Sequence, residues 1–205
     1  MKARCTPCPG IFFVWMMFFW LPFCAASPIP KTATMEKFLA SAVAQTRLTL
    51  YYDPSYRTLA YPGGDVPLER GVCTDVIIRA FRAVGIDLQK LVHEDMTRHF
   101  QSYPGTWGLA KPDSNIDHRR VPNLETFFSR KGFRVTTLAP DSFMTGDIIV
   151  WRLPGGRPHI GIVAAGKSDN ARPLCIHNVG AGTRLEDVLT EWPITGHYRF
   201  PFSTP

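Results

Sequence analysis

The chain has 205 residues, 45% of them hydrophobic and 20% charged, with a formal net charge of +6. This is an ordinary globular composition for one domain, and eighteen prolines with sixteen glycines argue against a helical bundle. The basic residues form no run interleaved with aromatics, so no nucleic-acid partner is expected.

Residues 1–26 read as a secretory signal peptide: Lys2 and Arg4 open it, Ile11 to Phe23 is apolar apart from Pro22, and Cys24-Ala25-Ala26-Ser27 supplies small residues for cleavage. A lipid anchor on Cys24 is the rival reading, opposed by the bulk of Phe23. Cleavage leaves a secreted or periplasmic chain without a membrane span, with a net charge of +4 and only Cys73 and Cys175 as thiols. Residues 27–34 read as a Pro-rich extended leader, and 35–201 as the folded domain, expected to be monomeric. A helix from about Met35 to Thr46 carries Phe38, Leu39, Ala42 and Val43 on one stripe, and Leu48 to Tyr52 reads as a short strand. A turn-rich approach follows, containing Pro62-Gly63-Gly64.

After Cys73 the apolar residues Val76, Ile77, Ala80, Phe81 and Val84 recur at helical spacing. Thr74 or Asp75 is expected to cap this helix, and Gly85 to end it in a left-handed conformation. A thiol at a helix start lies beside unpaired N–H groups and the positive end of the helix dipole, both of which favour thiolate. The expected consequence is a depressed pKa and alkylation well below the free-cysteine value of about 8.5. A buried structural cysteine, or a Cys73 to Cys175 disulfide, is the alternative.

A second helix follows Asp87, with Leu88, Leu91, Val92, Met96 and Phe100 on one face and His93 and His99 in solvent. Tyr103 to Arg120 lacks periodicity and carries Trp107, Arg119 and Arg120; such a loop is a candidate ligand surface, and paired arginines suit a carboxylate or phosphate. A short helix is expected at Leu124 to Arg130. Strands follow at Ile148 to Trp151, His159 to Ala164, Leu174 to Val179 and His197 to Phe200, with Gly146-Asp147 as the entering turn. Helices first and an antiparallel sheet afterwards is the α+β class.

Cys73, His159 and a third polar residue have the order of a nucleophile, a base and an orienter. In a symmetric hairpin about residue 168, His177 faces His159; a register shift of one puts Asn178 there instead. A zinc site is disfavoured because no paired CxxC or HExxH spacing exists after residue 26, so no metal and no cofactor is expected. The same three residues also suit a Cys-dependent acyltransferase, and a catalytically silent glycopeptide-binding module is the rival from another class.

The segments Gly71-Val72-Cys73-Thr74-Asp75-Val76-Ile77-Ile78-Arg79-Ala80, Gly85-Ile86-Asp87-Leu88-Gln89, Gly146-Asp147-Ile148-Ile149-Val150-Trp151, His159-Ile160-Gly161-Ile162-Val163 and Ile176-His177-Asn178-Val179-Gly180 resemble the bacterial family called domain of unknown function 1287, over roughly residues 35 to 201. More distantly, the order of motifs is similar to that of NlpC-type cell-wall peptidases of the papain-like superfamily, although Val72 precedes the cysteine where those peptidases carry an acidic residue. This resemblance implies a papain-like fold and hydrolysis of an amide in peptidoglycan stem peptides, with Cys73, His159 and His177 in the three roles. The substrate-binding residues expected on this reading are Asp75, Trp107, Arg119 and Arg120.

Overall fold

A computed structural model describes Met1 and residues 31–202. The signal peptide read at 1–26 and the first residues of the leader therefore lie outside the described residues. The leader is shorter than expected, because helix α1 runs Lys31–Leu48 and takes in its last four positions. Phe38 and Ala42, one turn apart, are fully buried and give α1 its packing stripe.

Strands β1 (Tyr51–Tyr52) and β2 (Arg70–Gly71) pair in parallel, and the chain enters α2 (Cys73–Ala83) directly afterwards. The turn-rich segment between β1 and α2 is held by one buried cation. Arg79 of α2 bonds Asp65 at 2.9 Å, Thr49 Oγ1 at 2.9 Å, and the carbonyls of Val66 at 3.1 Å and Arg70 at 3.0 Å. Gln89, at the start of α3 (Leu88–His99), accepts from Gly64 N–H and donates to the carbonyls of Ala60 and Ser114. Buried polar groups paired in this way convert an irregular segment into a fixed one. The segment that delivers Cys73 is thereby tied to α2 and α3.

Helix α2 starts two to three residues earlier than Thr74 or Asp75 capping would require. Val72 occupies the cap position, and Asp75 at the third helical position accepts the Val72 N–H at 2.7 Å. Gly85 ends the helix at φ +82°, with Ile86 N–H reaching Phe81 O at 3.1 Å, the expected left-handed stop. On α3, Leu91 lies at the surface rather than on the buried face, and His93 is half-buried against Tyr61 while His99 is exposed. Helix α4 (Val121–Arg130) begins three residues before the expected start because Pro122 fits its first turn.

The C-terminal half is a five-stranded antiparallel sheet in the order β6-β5-β4-β3-β7, from β3 (Ile148–Arg152), β4 (Pro158–Lys167), β5 (Pro173–Asn178), β6 (Thr183–Glu186) and β7 (Ile194–Tyr198). Alternation splits β3, β4 and β5 between two apolar clusters. Val150, Ile160, Ile162 and Ile176 join Phe38, Val76, Ile77, Phe81, Leu124 and Phe128 in the main core under the helices. Ile149, Trp151, Val163, Cys175 and Leu189 form a smaller cluster on the other face, covered by Phe143, Val188, Trp192 and Ile194. Asp147 fixes the entry to β3: its buried carboxylate accepts from His197 Nε2 at 2.6 Å and from Arg199 at 2.7 Å. Among the described residues no helix is long and apolar enough to cross a membrane.

Candidate active site

Cys73 is the first residue of α2 and is 5% exposed. The nearby backbone N–H groups of Ile160, Thr74 and Cys73 itself pull its pKa down. Two of these come from the open end of the helix and the third from β4, one residue after His159. The sulfur is thus seated where the helix start meets the strand that carries the imidazole. The depressed pKa expected at a helix start is not found. Burial dominates, Asp75 adds to it, and the thiol is pushed up to about 12 despite the three donors.

His159 is the second residue of β4 and is 2% exposed, its ring stacked on Trp151 at 5.6 Å between centroids and edge-on to Trp192 at 5.8 Å. Its Nε2 lies 2.9 Å from Nδ1 of His177. The two histidines do not face each other squarely. Gly161 is the residue opposite His177, two positions from the partner that a hairpin symmetric about residue 168 would give, because the hairpin closes further along the chain, at Lys167 and Pro173. A shift of two preserves the face, so His177 rather than Asn178 meets His159. Gly161 makes the diagonal approach possible, since a Cβ there would lie 3.1 Å from His177 Cβ and 3.0 Å from the Trp151 ring. Burial, together with the neighbouring His177, lowers His159 to about 3, so the ring is neutral at rest. Burial also lowers His177, against the pull of Glu186, whose Oε2 is 3.0 Å from His177 Nε2. Among the described residues no hydrogen bond joins the Cys73 thiol to His159.

Asn178 points to the other face and donates to Gly71 O at 3.2 Å, two residues before Cys73. Its place is in the support of the cysteine segment. The structure also removes the alternative of a disulfide: Cys73 and Cys175 are free thiols, one in the main core and the other in the smaller cluster across the sheet.

Two of the four expected substrate contacts are committed elsewhere. Asp75 and Arg119 form a buried bidentate pair at 3.0 Å, with side chains 3% and 2% exposed. Arg119 also donates to the carbonyls of Ser55 and Asp53, so it braces α2 against the β1 side, although it too lines the cleft that reaches Cys73. Arg120 and Trp107 are differently placed. The guanidinium lies 4.1 Å above the Trp107 ring and 3.3 Å from Asp117, leaving most of its donors unused. Both residues line a cleft of about 210 Å³ that reaches Cys73 and is also walled by Tyr52 and Pro158. They are shared with an adjoining cavity of about 220 Å³ that contains Asp117 and Asn123.

Tyr52, Trp151, Trp192 and Glu186 were not legible as site residues. Tyr52 reads only as strand and Glu186 only as connection, since their places depend on pairings with β2 and β5. The signal that was present is the aromatic Trp151 at the end of a short strand, in register with His159.

Comparisons with known proteins give two kinds of similarity. Among solved structures the chain is similar to NlpC1 from Trichomonas vaginalis, with TM-score 0.45, 14% identity, and coverage of 81% of this chain and 44% of that one. It is also similar to a lipoprotein-like protein of the NLP/P60 family from Staphylococcus aureus, with TM-score 0.45, 14% identity, and coverage of 85% and 44%. A third is an N-acetylmuramoyl-L-alanine amidase from Bacteroides uniformis, with TM-score 0.42, 14% identity, and coverage of 80% and 97%. The chain spans under half the length of the first two. In sequence it is 59% identical over 153 residues to the uncharacterized protein YijF of Escherichia coli strain K12, covering 74% of this chain and 75% of that one. The family model described as domain of unknown function 1287 matches residues 39–200, nearly all of the described fold. The chain belongs to that family.

Proposed function

We propose that the chain is an exported, thiol-dependent amide hydrolase of papain-like design that acts on peptidoglycan stem peptides. The observation that carries the reading is the place of the Cys73 sulfur, at the helix start and near the N–H of Ile160 on β4, the strand whose preceding residue, His159, is bonded to His177. The substrate class rests on the resemblance of the motif order to NlpC-type peptidases and on the signal-like start of the sequence.

The steps follow from the protonation states. At rest the thiol and the imidazole are both neutral, because burial opposes either charge alone. When the substrate carbonyl reaches the cleft, the Sγ proton moves to His159 as sulfur attacks carbon, and the two new charges form together in a site that stays neutral overall. His159 then gives its proton to the leaving amine, and the acyl group remains on sulfur as a thioester. Water, deprotonated by the same imidazole, releases the acid and restores the thiol. His177 holds the ring of His159 through the 2.9 Å bond. Catalytic hydrogen bonds absent from a ligand-free site commonly form only in the complex. Trp107 and Arg120 wall the route to Cys73, where Arg120 offers a forked donor to a substrate carboxylate.

One observation favours a second reading, a catalytically silent cell-wall binding module: the thiol is buried, neutral and without a bond to His159. Incubating the protein and Cys73→Ala with muropeptides, and identifying the products by mass spectrometry, separates the two. New peptide termini with the unaltered protein alone support the hydrolase. Binding of muropeptides without any new terminus supports the module.

A further inference from the structure

The bond between the two histidines fixes their distance but leaves open which nitrogen carries each proton. Glu186, on β6, settles that choice. It lies opposite Cys175, two residues along the strand from Arg184, which is opposite His177, so it approaches the imidazole diagonally across the ladder. Its Oε2 is 3.0 Å from His177 Nε2, and the carboxylate end is 40% exposed while His177 is fully buried. A carboxylate has no hydrogen to give, so the nitrogen it faces must be the protonated one. We propose that Glu186 is a positioning residue that holds His177 as its Nε2–H tautomer and, through it, His159 as its Nε2–H tautomer, which leaves the Nδ1 lone pair of His159 to receive the Cys73 proton.

Each link follows from the one before. With its proton on Nε2, neutral His177 presents a lone pair at Nδ1. Among the described residues, the ring atom that lone pair meets is Nε2 of His159, at 2.9 Å, which must donate. Neutral His159 then has no hydrogen on Nδ1. The alternative arrangement, with the proton of His177 on Nδ1, sets a lone pair against the carboxylate. It also moves the proton of His159 onto the nitrogen that the mechanism needs empty. The neutral state of both rings is supported by their burial among Trp151 and Trp192. This role depends on the hydrolase reading for its consequence but not for its geometry.

The test is a nitrogen-15 multiple-bond correlation spectrum of histidine-labelled protein near neutral pH, for the unaltered chain, Glu186→Gln and Glu186→Ala, beside turnover of muropeptides and thermal unfolding. The unaltered protein is expected to show both His159 and His177 protonated at Nε2. Both variants should show a mixture of tautomers at His177, and kcat should fall about tenfold or more with KM little changed, the scale on which partners of functional histidines act. The side chain of Glu186 is 40% exposed, so neither substitution opens the core, and an unchanged unfolding midpoint verifies this. A spectrum with His177 protonated at Nδ1, or tautomers unchanged in both variants, overturns the proposal. If the tautomers are as stated and the unaltered protein cleaves nothing, the hydrolase reading fails while the role of Glu186 stands.

Discussion

At the residue scale, Cys73 lies between a helix end that favours its anion and a core that opposes it. Burial exceeds the effect of three backbone donors, and the thiol sits at about 12. The measurable consequence is slow reaction with iodoacetamide at pH 7 in the free protein, with a rate that climbs tenfold per pH unit well beyond pH 8.5. A plateau reached below pH 8 would show a thiolate at rest and would contradict that balance. Arg120 differs from its neighbour Arg119 because only its donors are uncommitted. Arg120→Ala is expected to raise KM for a carboxylate-bearing peptide about tenfold with kcat nearly unchanged, in line with one charged hydrogen bond. An unchanged KM would take Arg120 out of the substrate route.

At the element scale, the site depends on how β4 and β5 pair. Alternation within each strand was readable from the apolar pattern, and so was the face shared by His159 and His177. The register itself was not, because it depends on where the loop closes, at Lys167 and Pro173, and on an irregularity beside it, where the sequence has no periodicity. The partners of Asp75 and Arg119 were equally hidden, since a buried pair between positions 75 and 119 is a product of packing two distant segments. Two substitutions probe these supports. Gly161→Ala places a methyl 2.9 Å from Ile176 O and 3.1 Å from His177 Cβ. It should cost about 1–3 kcal/mol in urea unfolding, with loss of turnover beyond what stability explains as His177 is displaced. Asp75→Asn leaves the buried Arg119 charge without its partner and should cost about 3–5 kcal/mol. A loss below about 1 kcal/mol would mean that this pair does not hold α2 in place.

At the scale of the molecule, three buried histidines tie stability to pH. His159 is lowered to about 3 and His118 to about 4, each mainly by burial, and His177 is also lowered. The unfolded chain takes up these protons near the ordinary histidine value of about 6.5, before the folded chain does. Stability is therefore full above that pH and is lost as pH falls through the window from about 6.5 towards the folded values. The thermal midpoint should decline steadily from pH 7 to 5, and His159→Gln should flatten the slope. A midpoint independent of pH over that range would show that these rings take up protons as readily in the folded protein as in the unfolded chain.

The central claim is that Cys73 is the nucleophile of an amide hydrolase, and it is tested most directly by stopping a single turnover. Excess protein would be mixed with a stem peptide, quenched in acid within milliseconds to seconds, and analysed by intact mass and peptide mapping. The account predicts a transient mass increase equal to the acyl half of the substrate, located on Cys73, absent in Cys73→Ala and decaying as free acid appears. Cleavage that persists in Cys73→Ala, or an acyl group found on another residue, would contradict it.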